Sequence, residues 1–272
     1  MRGFGGYAPH LLRITLTLPL SLRKREATRR RGRRSAHYSP LPGKLRASSE
    51  HFGSNFSGAC VLTVGASFVR STDTCGFTPS ELRQLRALKT PAGIQKFLDD
   101  LTYNLSYTAR SPKKVFHDRT ASCLEGGIFA AAALRVIGFP PLIFDLEAEQ
   151  DTDHIVAIFK VRGHWGAVAK SNFTGCRYRE PVYWGLRELA MSYFNIYFNL
   201  RGERTLRRYS RPVNLARFDH LHWMTTEKPT WFIAEYLCEI PHISLLTPAM
   251  KKNLTRVDQR TMQGEMVGHR KR

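Results

Sequence analysis

Cysteine is scarce. The chain holds five, Cys60, Cys75, Cys123, Cys176 and Cys238, in 272 residues. An odd and sparse set with no CxxC pair does not make a disulfide framework, and no Cys/His spacing of a zinc site is present. A reducing, cytoplasmic compartment fits this usage, and no metal or cofactor is expected. Long apolar runs are also missing: no stretch approaches the roughly 20 residues of a membrane span. The one N-terminal candidate, "LLRITLTLPLSL", is interrupted by Arg13 and followed by "RKREATRRRGRR", the wrong side for the basic region of a secretion signal.

Acidic residues are few as well. There are 22 Asp and Glu against 42 Lys and Arg, for a formal charge of +20. The excess is concentrated at the ends. Residues 1–50 carry 12 basic and 2 acidic residues, and residues 251–272 carry 7 and 2. The middle of the chain is therefore only mildly basic. Nucleic acid or an anionic surface is a partner for the tails rather than for a basic fold. Residues 1–75 lack lasting periodicity and read as a basic, disordered extension. A domain is expected over 76–248, and a basic, frayed tail over 249–272.

Two proline-started helices are predicted at the front of the domain. "TPSELRQLRALK" (78–89) and "TPAGIQKFLDDLTYN" (90–104) each place a threonine N-cap before a proline, followed by apolar residues on one face. The segment "TASCLEGGIFAAAALRVIGFPP" (120–141) carries the chemistry. Ser122 and Glu125 form a capping box, which makes Ser122 the N-cap and Cys123 the first helical residue. A thiol there sits among unpaired N–H groups at the positive end of the helix dipole, and its pKa is expected to fall. Gly126 and Gly127 weaken the helix by about 1 kcal/mol each, which implies that something packs close against the first turn.

A reactive thiol needs a base, and the base needs an orienting partner. "PLIFDLEA" (141–148), "HIVAIFKV" (154–161) and "HWGAVAKSN" (164–172) read as strands, the last two as an antiparallel hairpin turning near Gly163. A three-residue loop sets His154 opposite Asn172; a two-residue loop sets it opposite Ser171. An amide accepting from one ring nitrogen would leave the other to face a thiol. His164, beside Trp165 at the turn, has no partner opposite. Cys176 has no helix start behind it. His117 is a candidate oxyanion donor, ranked behind the backbone N–H of Cys123. Asp151 and Asp153 read as loop-solubilising residues, with cation binding the alternative. "REPVYWGLRELAMSYFNIYFN" has a helical apolar stripe from Leu186 to Tyr197, and "TLRRYSRPVNL" (205–215) an extended pattern that returns to the sheet.

The order of a helix-start cysteine, a strand, a strand-start histidine and a strand-end polar residue resembles the transglutaminase-like superfamily. It is closest to the small bacterial transglutaminase-like domain proteins. "SCLEGG" resembles the nucleophile motif, "DTDHIVAIF" the histidine strand and "WGAVAKSN" the strand of the third residue. The resemblance spans roughly residues 76–210. It implies an α+β, papain-like core with the nucleophile on a helix N-terminus against an antiparallel sheet, and a triad of Cys123, His154 and Asn172. The family usually carries Asp at the third position and a Trp two residues after the histidine, where this chain has Asn172 and Val156. The implied activity is acyl transfer or hydrolysis at a carboxamide or peptide bond of a protein or peptide substrate, through a thioester. The alternative is a catalytically silent module whose groove or basic tails bind a protein or nucleic acid.

Overall fold

The helix entered by Cys123 is buried on all sides. In the computed structural model, which describes residues 75–270, every side chain from Glu125 to Leu134 is buried. The alanines at 130–133 let neighbouring elements approach from every direction, as a helix without a solvent face requires. This helix, α4 (Cys123–Val136), follows α1 (Pro79–Arg86), α2 (Pro91–Asp99), β1 (Thr102–Tyr103), α3 (Pro112–Asp118) and β2 (Thr120–Ala121). The N-terminal extension expected over 1–75 falls, apart from Cys75, outside the described residues.

After α4 the chain builds β3 (Leu142–Ala148), β4 (His154–Val161), β5 (His164–Val168) and β6 (Arg179–Tyr183). Helix α5 (Leu186–Met191) follows, then β7 (Leu206–Ser210), β8 (Val213–Asn214), α6 (Trp231–Glu239), β9 (His242–Ser244), α7 (Pro248–Lys252) and α8 (Gln259–Glu265). The main sheet runs β6-β5-β4-β3-β7-β9, with β8 also on β3, and all its pairings are antiparallel. Separately, β1 and β2 pair in parallel, with Tyr103 beside Ala121. The fold class is α+β.

Alternation along the strands sorts two cores. On one face, Ile143, Ile155, Ala157 and Phe159 pack with α4. On the other, Phe144, Leu146, Val156 and Ile158 pack with Leu189, Ala190, Tyr193 and Tyr197. Because β3 and β4 are covered on both faces, their sequences are nearly continuous apolar runs. The helical stripe predicted from Leu186 to Tyr197 is broken: α5 ends at Met191, and Phe194–Ile196 is a single 3-10 turn.

The β4–β5 turn is the two-residue form. Arg162 and Gly163 both have positive φ, at 47° and 86°, and Val161 pairs with His164. The pairs continue to Ala157–Val168 and stop there. Beyond Val168 the strand departs, and the edge of β4 at residues 153–155 is left for the first turn of α4. The two glycines make that approach feasible. A Cβ on Gly127 would lie 2.8 Å from the Ile155 carbonyl oxygen, and one on Gly126 would overlap the Lys170 side chain.

The segment 249–270, where a frayed tail is expected, carries two short helices. Thr247 and Asp258 cap its two helices, Val257 is 8 % exposed, and the Val257 N–H donates to the Gly202 carbonyl at 2.9 Å. Its low hydrophobicity concealed this, because most of its attachments are backbone hydrogen bonds.

The notch gives a direct test. Gly127→Ala gains helix propensity but meets a backbone carbonyl that cannot rotate away. Overpacking of this kind costs about 1–3 kcal/mol. Chemical denaturation of the variant is expected to show a net loss; a gain in stability would mean that the helix start is not wedged against β4.

Candidate functional site

The site begins with a buried carboxylate. Glu125 is 0 % exposed. Its Oε2 accepts from the Ser122 N–H at 2.9 Å, while the Ser122 hydroxyl accepts from the Glu125 N–H at 3.3 Å. This is the capping box read from the sequence, and it sets Cys123 as the first helical residue. The same carboxylate also gathers the preceding loop. Asn104 Nδ2 donates to it at 2.9 Å, Thr108 Oγ1 at 2.6 Å and the Arg110 N–H at 3.0 Å. That loop follows Tyr103. Tyr103 faces Cys123, and its hydroxyl acts electrostatically on the thiol.

The half-buried Cys123 reaches the free edge of β4. Its Sγ lies 3.8 Å from the Asp153 carbonyl oxygen, and the Leu124 and Ile155 N–H groups favour the thiolate electrostatically. The sulfur thus lies beside the residues that flank His154. The expected lowering of the thiol pKa is not found. Burial pushes it up, and this outweighs Tyr103 and the two N–H groups; the neighbouring Asp153 pushes it further the same way.

His154 starts β4 and is buried on the face opposite α4, with the rings of Tyr193 and Tyr197 edge-on to it at 6.3 Å. Its Nε2 lies 2.8 Å from the Cys176 carbonyl oxygen. A carbonyl can only accept, so in the neutral ring Nε2 carries the proton and Nδ1 the lone pair. Nδ1 makes no hydrogen bond among the described residues. Burial, with a smaller contribution from Arg179, lowers the His154 pKa to about 4. The ring is neutral at physiological pH.

Asn172 does not partner His154. The two-residue turn makes Ser171, not Asn172, the in-register position, and the ladder has ended before either. Asn172 pairs instead with the backbone of Arg270, donating to its carbonyl at 2.9 Å and accepting its N–H at 3.0 Å. The position expected for Asn172 is filled by the Cys176 carbonyl. The Cys176 thiol is buried against the Ile196 carbonyl and pushed up to about 12 by that burial. His164 stays at the turn, 4.2 Å from the Trp184 ring. His117 pairs with Glu81 at 2.6 Å, and no hydrogen bond links it to Cys123.

Beside the thiol lies an acidic group. Asp145 accepts from His242 Nε2 at 2.9 Å, and Asp153 Oδ1 accepts the Ala148 N–H at 2.8 Å. Burial and the nearby Asp145 push the Asp153 pKa up to about 8. Among the described residues no group of three or more His, Cys, Asp or Glu side chains is arranged to hold a metal ion. No helix among them is long and apolar enough to cross a membrane.

No protein-family model and no curated protein matches the chain. The site is therefore characterised by its own geometry. Two residues in it were missed from the sequence. Tyr103 lies on a two-residue strand whose parallel pairing with β2 has no local signature. Cys176 acts through its carbonyl, a group that every residue type has.

Two measurements follow. Alkylation of Cys123 by iodoacetamide is expected to have a midpoint above the ordinary cysteine value and to lag that of the exposed Cys238 at pH 7; a midpoint below that value would contradict the burial described here. Glu125→Ala leaves four donors, from Ser122 and the loop at 104–110, without their acceptor. Breaking such a buried charged cluster costs about 3–5 kcal/mol. Urea denaturation reads this loss, and a cost under about 1 kcal/mol, the scale of a lost cap alone, would show that the loop does not depend on it.

Proposed function

We propose that the chain is a cysteine-dependent acyltransferase or hydrolase, transglutaminase-like in chemistry and papain-like in core, acting on a carboxamide or peptide bond. The observation that carries this is the placement of Cys123 Sγ against the two residues flanking His154, whose Nε2 is occupied by a carbonyl and whose Nδ1 keeps its lone pair. Cys123 attacks the substrate carbonyl carbon as its thiol proton passes to His154 Nδ1. The C–N bond then breaks, and the imidazolium returns the proton to the departing amine. A thioester remains on Cys123. Water or a second amine attacks it, giving hydrolysis or transfer and regenerating the thiol.

The tetrahedral intermediate needs donors where its oxyanion forms. The Cys123 N–H, at the helix start, and the Tyr103 hydroxyl, which faces Cys123, are the candidate donors. A substrate oxygen placed between them would accept from both. Removing one such donor typically lowers the rate by about 10²–10³-fold.

A second reading, a silent fold that binds a protein or nucleic acid, is favoured by one observation. Burial pushes the Cys123 thiol up, which disfavours a standing thiolate in the site. The readings separate by intact-mass spectrometry after incubation with peptide-amide and protein-extract substrates. An acyl adduct on Cys123, lost in both Cys123→Ala and His154→Gln, is expected. No adduct on wild-type protein, together with salt-sensitive nucleic-acid binding that survives Cys123→Ala, would establish the silent module.

A further inference from the structure

The loop that orients His154 is held by a distant part of the chain. Residues 172–176 leave β5 and deliver the Cys176 carbonyl to His154 Nε2. The segment 258–270 grips this loop along its length. Asn172 exchanges two hydrogen bonds with the Arg270 backbone. Phe173 packs edge-on against His269 at 5.0 Å. The Thr174 N–H donates to the Glu265 carbonyl at 3.0 Å, and its hydroxyl to the Val267 carbonyl at 3.0 Å. The Gly175 N–H donates to the Glu265 carboxylate at 2.6 Å. Gly175 is a fitted seat: a Cβ there would overlap that carboxylate and lie 2.7 Å from the Ile196 side chain. On the far side, Arg270 Nη1 donates to the Tyr103 carbonyl at 3.3 Å. One segment therefore joins the residue before the orienting carbonyl to the strand that carries Tyr103.

The rest of the chain holds the carbonyl side of the same loop. Arg177 Nε donates to the Thr174 carbonyl at 2.8 Å, and Arg179 Nη1 to the Gly175 carbonyl at 2.9 Å. Both arginines follow Cys176 in sequence and occupy the opposite side of the same peptides. The Thr174 N–H is taken by the Glu265 main-chain carbonyl and the Gly175 N–H by the Glu265 carboxylate. Truncating the Glu265 side chain leaves the first bond in place and frees the Gly175 N–H, one residue before Cys176.

We propose that Glu265 and Asn172 are positioning residues: through 258–270 they fix the Cys176 carbonyl and thereby hold His154 in the Nε2–H tautomer that leaves Nδ1 to accept the Cys123 proton. This deepens the acyl-transfer function proposed above and rests on it for its kinetic consequence, but not for its structural one. It also gives Asn172 a role different from the one the sequence suggests. Asn172 acts on the histidine through the main chain rather than by touching it.

The test uses the full-length protein with ¹⁵N-labelled histidine and compares Glu265→Ala, Glu265→Gln and Asn172→Ala. Imidazole ¹⁵N shifts report the His154 tautomer whether or not a substrate is known. Wild type is expected to show the Nε2–H form alone. Glu265→Ala is expected to show a mixture of tautomers, and Glu265→Gln, which keeps an acceptor oxygen for the Gly175 N–H, to restore the wild-type pattern. With a turned-over amide substrate, Glu265→Ala is expected to lower kcat by about 10²-fold, the scale of a small misplacement of a catalytic group, with KM little changed. A single Nε2–H tautomer in a folded Glu265→Ala protein overturns the proposal. If Glu265→Ala fails to fold, Asn172→Ala decides by the same shifts, a mixture supporting the proposal and the pure Nε2–H form overturning it. A tautomer that responds in a protein that turns over no amide would retain the positioning role and remove the acyl-transfer function.

Discussion

One buried carboxylate organises the site. Glu125 has no solvent exposure, and an ion in such a place is tolerated only when hydrogen bonds replace its water. Four donors do so, from the residue before the helix and from the loop at 104–110. Such a buried ionic cluster is weak evidence for net stability, because its desolvation penalty offsets much of its attraction. Its effect here is geometric. Each donor accepts one arrangement of the chain, and together they fix where α4 begins and where the strand ahead of the loop lies. Asn104, next to Tyr103, and Ser122, next to Cys123, are tied to the same carboxylate, which sets their neighbours side by side.

The second constraint is the parting of the sheet. Were β5 to stay paired beyond Val168, the edge of β4 at residues 153–155 would be closed by a ladder. The two-residue turn fixes the register, and the chain leaves after Val168. The first turn of α4, stripped to glycine at 126 and 127, fills the gap. The sulfur then lies at the strand edge, 3.8 Å from the Asp153 carbonyl oxygen. The alternation of β4 sends Ile155 toward α4 and His154 away from it, so a helix packed flat on one face would never bring a thiol near the imidazole. An approach at the strand edge is the one that the proposed proton transfer requires.

Legibility followed how local each cause was. The capping box, the proline-started helices and the limits of β4 rest on residues a few positions apart, and the sequence shows them. The register of the hairpin differed by one between two turn types, but the ladder ends at Val168 before either partner of His154, and Asn172 goes to Arg270 instead. What replaced it, the Cys176 carbonyl, is invisible to any reading by residue type. The same holds for 258–270. An apolar-poor segment reads as solvated, yet it is attached to 172–175 by hydrogen bonds that mostly use a main-chain group, and it follows the buried Val257. Tyr103 stayed hidden because a strand of two residues, paired in parallel across sixteen intervening positions, leaves no periodicity.

The electrostatics of the thiol show which effect governs. A helix dipole contributes typically 0.3–1 kcal/mol, up to about 2 in partly buried geometry, which is at most about 1.5 pKa units. Desolvation of a fully buried group shifts a pKa by up to about 3–5 units. At Cys123 the burial contribution is the larger, and the thiol stays protonated despite its place at a helix start. The same burial lowers His154 to about 4 and raises Asp153 to about 8, so all three groups sit in their neutral forms near pH 7. A low-dielectric site next to the buried Asp145 has reason to avoid a separated ion pair. For the proposed chemistry this sets the order of events. The proton leaves sulfur as the S–C bond forms rather than beforehand, and the donors at Cys123 N–H and Tyr103 act on the charge that appears on the substrate oxygen. Nucleophilic power in this arrangement comes from the direction of the Nδ1 lone pair, and so from whatever holds the ring.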